Sequence, residues 1–224
     1  MTDTAGLMHI LQICDNLFPV GAFTLSNGLE TYVQHDIITS PQGLEEYLHS
    51  YISVLPYNEL GAAAAAYNAD EKELCRLDEI YSAVKTPFEI RSGSEKVTRR
   101  FFKICNNGRE SFTGLYKSLT EQGICKGHQC IAYGLYMRDN GIELSEGLAV
   151  YGYSICSAIV TNCVKLVPLS QLAGQKILGE SFELISSASE KALFTDINDI
   201  GISGAGFDLR AMQHERLYSR QYMS

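Results

Sequence analysis

The closest grouping of soft ligands is Cys125-Lys-Gly-His128-Gln-Cys130, two thiols and an imidazole within six residues. Sulfur and imidazole donors suit zinc or nickel. Three ligands at this spacing complete no known closed site, and the plainer expectation is that Cys125, Cys130, Cys156 and Cys163 pack as small apolar groups. His9 and His35 stand alone and fit core or surface roles. His214-Glu215 opens like a zinc-protease motif but has no second histidine four residues on. An exposed arginine on a helical protein can act in trans on a GTPase, and Arg91, Arg99, Arg100 and Arg220 are candidates, each against a surface ion pair as the ordinary role. There is no glycine loop followed by Lys-Ser/Thr, and Gly201-Ile-Ser-Gly-Ala-Gly206 has the wrong spacing for a nucleophile elbow. The 26 acidic residues are scattered, so no acid–base pair can be located.

The elements that would position these residues read as helices. Leu44, Tyr47, Leu48, Tyr51, Ile52 and Leu55 form an amphipathic stripe, started by Ser40-Pro41 as cap and first turn. A long helix is predicted from about Asn58 to Val84, where the run Ala62 to Ala66 favours helix and lets a neighbour approach closely. Thr86-Pro87 interrupts it. Further helices are predicted from Pro87 to Ile104, Ser111 to Glu121, 126 to 139, and 143 to 165, where Pro168 breaks the chain. Leu172, Leu178, Phe182, Ile185 and Ala192 carry the last long helix. With no alternating strand, the pattern predicts a single all-α domain of roughly eight to ten helices over residues 1–197. Residues 198–224 are predicted to be a glycine-rich linker and a flexible, partner-binding C-terminal tail. That tail interleaves Phe207, Leu209, Met212, Leu217, Tyr218 and Tyr222 with charges, so it either folds back on the core or waits for a partner.

Composition narrows the function classes. A net charge of -8 argues against nucleic-acid binding. The longest apolar stretch, Gly61 to Tyr67, is too short to span a bilayer, and Met-Thr-Asp-Thr does not begin a signal peptide. Seven cysteines without framework spacing fit a reducing cytoplasm, so a cytoplasmic protein with no membrane role is expected.

Three segments together resemble the urease accessory protein F (UreF) family. Leu17-Phe-Pro-Val-Gly-Ala-Phe-Thr-Leu-Ser-Asn-Gly-Leu-Glu30 is similar to that family's N-terminal signature. Val164-Lys-Leu-Val-Pro-Leu-Ser-Gln-Leu-Ala-Gly-Gln175 is similar to its Pro-Leu-Gly-Gln element, with Ser170 where the family has glycine. Met212-Gln-His-Glu-Arg-Leu-Tyr-Ser-Arg220 is similar to its C-terminal ending. Weaker matches lie at Glu89-Ile-Arg91 with Ser94, and at Gly127-His128 with Gly134. Order and placement agree, so the resemblance covers the whole chain.

The resemblance implies a non-enzymatic assembly factor with no cofactor and no catalytic residue. It implies a homodimer that joins the D-type (also called H-type) accessory protein and the G-type accessory GTPase to deliver nickel to apo-urease, modulating GTP hydrolysis by the G protein. Candidate partner-facing residues are Pro19, Gly21, Phe23, Ser26, Gly28 and Glu30 in the first segment. In the second they are Lys165, Gln171 and Gln175, and in the third His214, Glu215, Tyr218, Ser219 and Arg220. Tyrosine and arginine are favoured at interface hot spots. A loop packed on the core is the alternative for the first segment, and a dipole-complementing lysine for Lys165. Another class stays open: a metallochaperone that binds nickel directly through Cys125, His128 and Cys130.

Overall fold

The computed structural model describes residues 1–105, 108, 110–202 and 204–223, and it contains α-helix and short 3-10 turns but no strand among them. Asn106, Asn107, Arg109, Ser203 and Ser224 lie outside the described residues, including those two positions of the predicted 198–224 segment. The described residues form twelve α-helices: α1 (Thr4–Cys14), α2 (Leu29–Gln34), α3 (Pro41–Val54), α4 (Glu59–Asn68), α5 (Glu71–Val84), α6 (Phe88–Ile104), α7 (Phe112–Glu121), α8 (Gln129–Asp139), α9 (Leu144–Leu166), α10 (Gln171–Glu180), α11 (Phe182–Ala192) and α12 (Ala205–His214). The all-α class read from periodicity is what the chain adopts, with more and shorter helices.

Local chemistry explains the extra breaks. The predicted helix 58–84 is two helices because Asp70 and Glu73 form a capping box: the Glu73 amide donates to Asp70 Oδ1 at 2.8 Å and the Asp70 amide to Glu73 Oε2 at 3.0 Å. The last predicted helix divides at Ser181, whose hydroxyl donates back to the Ile177 carbonyl at 2.8 Å, a bond that bends helices. The Ser40 cap stands as predicted, accepting from the Gly43 amide at 3.2 Å, and the predicted stripe on α3 is buried. α9 ends at Val167, which is extended as the residue before a proline should be.

The centre of the core is the crossing of α4 and α8. Ala62, Ala63 and Ala66 are fully buried, and a Cβ added to Gly134 on α8 would lie 2.1 Å from the Ala63 carbonyl oxygen. Small residues on both helices therefore set how closely the backbones meet. Tyrosines fill the volume beyond. Tyr133 is buried and its hydroxyl reaches the Ile13 carbonyl at 2.8 Å, tying α1 to α8. α9 is long and apolar enough to cross a membrane by length and composition, a feature the sequence reading passed over; half of its most apolar window is buried against its neighbours here. Packed on α1, α3, α4, α10 and α11, it is a core helix of this fold.

In place of the flexible tail expected from composition, residues 205–214 form α12, which packs on α2 and α6. Folding back on the core is one of the two states the composition allows, and the reason it is adopted lies in the polar cluster described below.

Gly134→Ala should destabilise the protein by roughly 1 to 3 kcal/mol, because backbone rather than a mobile side chain occupies the space. Gly179→Ala, with nothing within 4 Å of its added Cβ, should be neutral or stabilising by up to about 1 kcal/mol. Urea unfolding of the two variants checks the contrast; equal midpoints would mean the α4–α8 crossing can relax.

Candidate functional site

Two glycines shape the first segment of the resemblance, and the second of them lets the third segment approach. Gly21 adopts φ +78°, and its turn is held by Arg100, whose guanidinium donates to the Val20 carbonyl at 3.0 Å. Gly28 adopts φ +82° at the start of α2, and a Cβ there would lie 2.9 Å from the Ala211 amide nitrogen and 3.2 Å from the Phe207 carbonyl oxygen. Only glycine permits both that backbone angle and the close approach of α12. Phe207, near the start of α12, packs edge-on to Tyr47 and Tyr51, each at 5.3 Å between ring centroids, and against Tyr32.

At the other end of α12, His214 is fully buried between two carboxylates. Its Nδ1 lies 2.6 Å from Glu89 Oε2 on α6, and its Nε2 lies 3.0 Å from Glu30 Oε2 on α2. Each ring nitrogen thus faces a carboxylate oxygen at hydrogen-bond distance, so the imidazole bridges α6 and α2. Arg220 donates to the other Glu89 oxygen, Oε1, at 2.7 Å. Glu30 has further donors: the backbone amides of Gln221 and Tyr222 reach its two oxygens at 2.9 and 3.1 Å. Gln34 donates to the Ser219 carbonyl at 2.7 Å, and the Met223 amide to the Thr24 carbonyl at 2.8 Å. Burial and the nearby Glu30 carboxylate raise the Tyr222 phenol above its ordinary value. Ser26 is buried one turn before Glu30, with its hydroxyl 3.5 Å from the Glu30 amide.

The remaining candidates divide by side. Pro19, Glu215, Ser219 and Tyr218 are exposed, Tyr218 completely, and Phe23 is partly exposed. Lys165, from the second segment, is exposed with its ammonium 5.9 Å from the Phe23 ring centroid, while Asn162 donates to the Phe23 carbonyl at 2.8 Å. Phe23 thus joins the first and second segments. Gln171 and Gln175 sit on the exposed face of α10 and make none of the cluster's hydrogen bonds. Ser170, standing where the family has glycine, caps α10 by accepting from the Ala173 amide at 3.1 Å.

The candidate metal residues do not converge. His128 is fully buried with Nε2 2.7 Å from the Ser82 hydroxyl, and Nδ1 faces Ser94. Cys125 faces Cys75, and Cys130 lies by Tyr81, its thiol pushed up to about 12 mainly by burial. Among the described residues, no three His, Cys, Asp or Glu side chains form a group that could hold a metal ion. Cys125, Cys130, Cys156 and Cys163 are buried, as small apolar groups should be. The arginines are occupied as well. Arg91 donates to the Lys85 and Thr86 carbonyls at the end of α5, Arg99 pairs with Glu95 at 3.6 Å, and Arg100 and Arg220 hold the bonds given above.

Two features escaped the sequence reading. Glu59 and Lys85 form a largely buried ion pair at 2.6 Å beside a cavity of about 80 Å³ that Asn27, Ser94 and Gln129 also line. That volume suits a few ordered waters around polar groups rather than a substrate. Asp78, buried, accepts from the Tyr116 hydroxyl at 2.6 Å and from the amides of Lys126 and Gly127 at 2.7 and 3.0 Å. Neither has a signal in a lone sequence, since the acidic residues are indistinguishable until the helices are packed.

Fold and site together define a helical protein whose C-terminal segment docks on its own α2 and α6. The family model described as UreF matches residues 38–181, and the chain belongs to the UreF family. Proteins named urease accessory protein UreF align along nearly its whole length. The one from Haemophilus influenzae is 34% identical, covering 100% of this chain and 97% of its own. That from Actinobacillus pleuropneumoniae is 34% identical over 96% of this chain and 97% of its own, and that from Streptococcus thermophilus 29% over 97% and 94%. The segments around Glu30 and His214 lie outside the family-model match but inside the full-length alignment to the Haemophilus relative.

His214→Ala should leave the buried Glu30 and the partly buried Glu89 without the ring that bridges them and destabilise the protein by roughly 1 to 3 kcal/mol. Amide exchange across α12 should accelerate more than across α4. Glu215→Ala, one residue on and exposed, should stay within about 0.5 kcal/mol of wild type. An unchanged exchange pattern in the His214 variant would show that the cluster does not hold α12.

His128 generates a pH dependence. Burial first of all depresses it from an ordinary 6.5 to about 4, with Lys85 and Arg91 lowering it further and Asp78 opposing. Between those values only the unfolded chain takes up the proton, so this contribution is complete above pH 6.5 and is lost as pH falls toward 4, by about 3 kcal/mol in all. His128→Gln should flatten the stability curve over that interval; an equal slope in both proteins would place the acid sensitivity elsewhere.

Proposed function

We propose that this chain is a urease accessory protein that acts as a scaffold. It joins the D-type (H-type) accessory protein and the G-type accessory GTPase in the complex that delivers nickel to apo-urease. It works as a cytoplasmic homodimer, makes or breaks no bond itself, and modulates GTP hydrolysis in the G protein. Any metal passage is formed with its partners rather than by a ligand set of its own.

The observation that carries this reading is the full-length similarity to proteins named urease accessory protein UreF. The geometry is consistent with it in one respect. The third segment turns His214 inward and pairs the exposed Arg220 with Glu89 while Glu215 and Tyr218 stand in solvent, and a fully exposed tyrosine beside an anchored backbone suits a contact residue. Residues 198–224 are accordingly proposed as the partner-binding segment.

Co-elution on a sizing column with the cognate D-type protein tests the proposal. The expected result is a stable joint peak with this chain present as a dimer. Tyr218→Ala should weaken the association at least tenfold while leaving the thermal midpoint unchanged, since truncating a hot-spot aromatic typically costs about 2 kcal/mol or more. Separate peaks for the wild-type proteins, with the G-type protein also present, would overturn the scaffold reading. Unchanged association of the Tyr218 variant would move the contact away from the C-terminal segment.

A further inference from the structure

Cys75 and Cys125 are 50 residues apart in sequence, yet their sulfurs lie 3.9 Å apart. Cys75 is half-buried on α5, and Cys125 is buried in the turn between α7 and α8. An independent set of bonds keeps them in register. Asp78, one helical turn beyond Cys75, holds the amides of Lys126 and Gly127 directly after Cys125. From the other side, the Leu119 carbonyl accepts the amides of Ile124 and Cys125 at 3.0 and 3.2 Å. Moving two sulfurs from this separation to a bond of about 2.05 Å asks for side-chain rotation and a small shift of the turn. Gly123, at φ +77° with open space around it, is where that turn can give.

We propose that Cys75 and Cys125 are a reversible thiol–disulfide pair, oxidised by a small peroxide to an intramolecular disulfide. Cys75, the more exposed thiol, reacts first. Its sulfur attacks one oxygen of hydrogen peroxide, the O–O bond breaks, and the products are a Cys75 sulfenic acid and one water. The Cys125 sulfur, losing its proton as it attacks, forms the S–S bond and expels the sulfenic hydroxyl as a second water. Two thiols give up two electrons and two protons, and the peroxide becomes two waters. Burial, with Asp78 nearby, holds the Cys125 thiol in its protonated form, so the more exposed Cys75 takes the first step and Cys125 gives up its proton only as it attacks. The bond ties α5 to the turn whose Asp78–Tyr116 network seats the His128 backbone amide, at 2.8 Å from the Tyr116 hydroxyl.

The test uses the folded full chain, reduced, freed of reductant, and exposed to a small molar excess of hydrogen peroxide. It is then blocked with N-ethylmaleimide in denaturant and digested with trypsin. The free-thiol count should fall by two from the seven cysteines of the chain. The fragment Glu73–Arg76 should appear joined to Ser118–Lys126, and dithiothreitol should separate them. Chain unfolded in urea before oxidation should give this species no more often than other pairings. Cys75→Ser and Cys125→Ser should each remove it. Seven thiols surviving, or the same yield of this cross-link from unfolded chain, would overturn the proposal. So would a different cysteine joined in its place. Because mapping on the wild-type chain decides these outcomes, a variant that fails to fold leaves the test intact.

Discussion

The position of the whole C-terminal segment follows from the burial of the Glu30 carboxylate. Glu30 is 1% exposed, and a carboxylate at that depth must have donors or lose its charge. All but one of the donors it finds lie beyond residue 200: the His214 ring and the amides of Gln221 and Tyr222. Glu89, only partly buried, takes the other ring nitrogen together with Arg220. Neither carboxylate is satisfied by its own helix. The chain from 205 to 223 is therefore held less by its modest apolar content than by the carboxylates that α2 buries and α6 half-buries. The apolar anchor at Phe207 and the glycine gap at Gly28 allow the approach; the ionic pairs fix its register.

A second constraint acts at the turn before α8. The close crossing of α4 and α8 works only if α8 enters at one angle, and the turn before α8 is set by Asp78. Asp78 is again a buried carboxylate with complete satisfaction, two backbone amides and a tyrosine hydroxyl. Both clusters thus use one device: an acidic residue on one helix collects donors from a segment distant in sequence. Such contacts are directional, so they specify position where close-packed alanine and leucine surfaces would tolerate sliding.

This device also explains what was legible in the sequence. The stripe on α3, the Ser40-Pro41 start and the breaks at Pro87 and Pro168 are local, and they occur where spacing placed them. The division at Asp70 is local as well; Asp-x-x-Glu carries a capping box, but the surrounding alanine and leucine pattern masked it. Glu59, Asp78 and Lys85 have no local signature at all. Their roles arise from residues tens of positions away. Of the candidate site residues, Glu30, Gly28, His214 and Arg220 meet in one cluster, and Phe23 meets Lys165. They were legible only as members of three separated segments resembling one family. The cysteine–histidine grouping at 125–130 was the opposite case. Its ligands are close in sequence, but the turn at Gly127, φ +89°, and the start of α8 send them to different neighbours.

The third segment has a consequence for any protein that binds it. Tyr218 lies between His214, which is buried, and Arg220, which is paired with Glu89. The backbone at Ser219 is itself held by Gln34. The position of the exposed tyrosine is thus a direct function of whether the buried cluster is assembled. A partner that grips Tyr218 in this geometry binds the docked state in preference to an undocked one. By linkage, it then stabilises docking by the same free energy that docking contributes to its own binding. Anchoring spares the complex the entropy of ordering that stretch of chain, about 1 to 2 kcal/mol for each backbone residue. A surface displayed in this way can therefore be small and still selective, because the buried charges have already chosen its conformation.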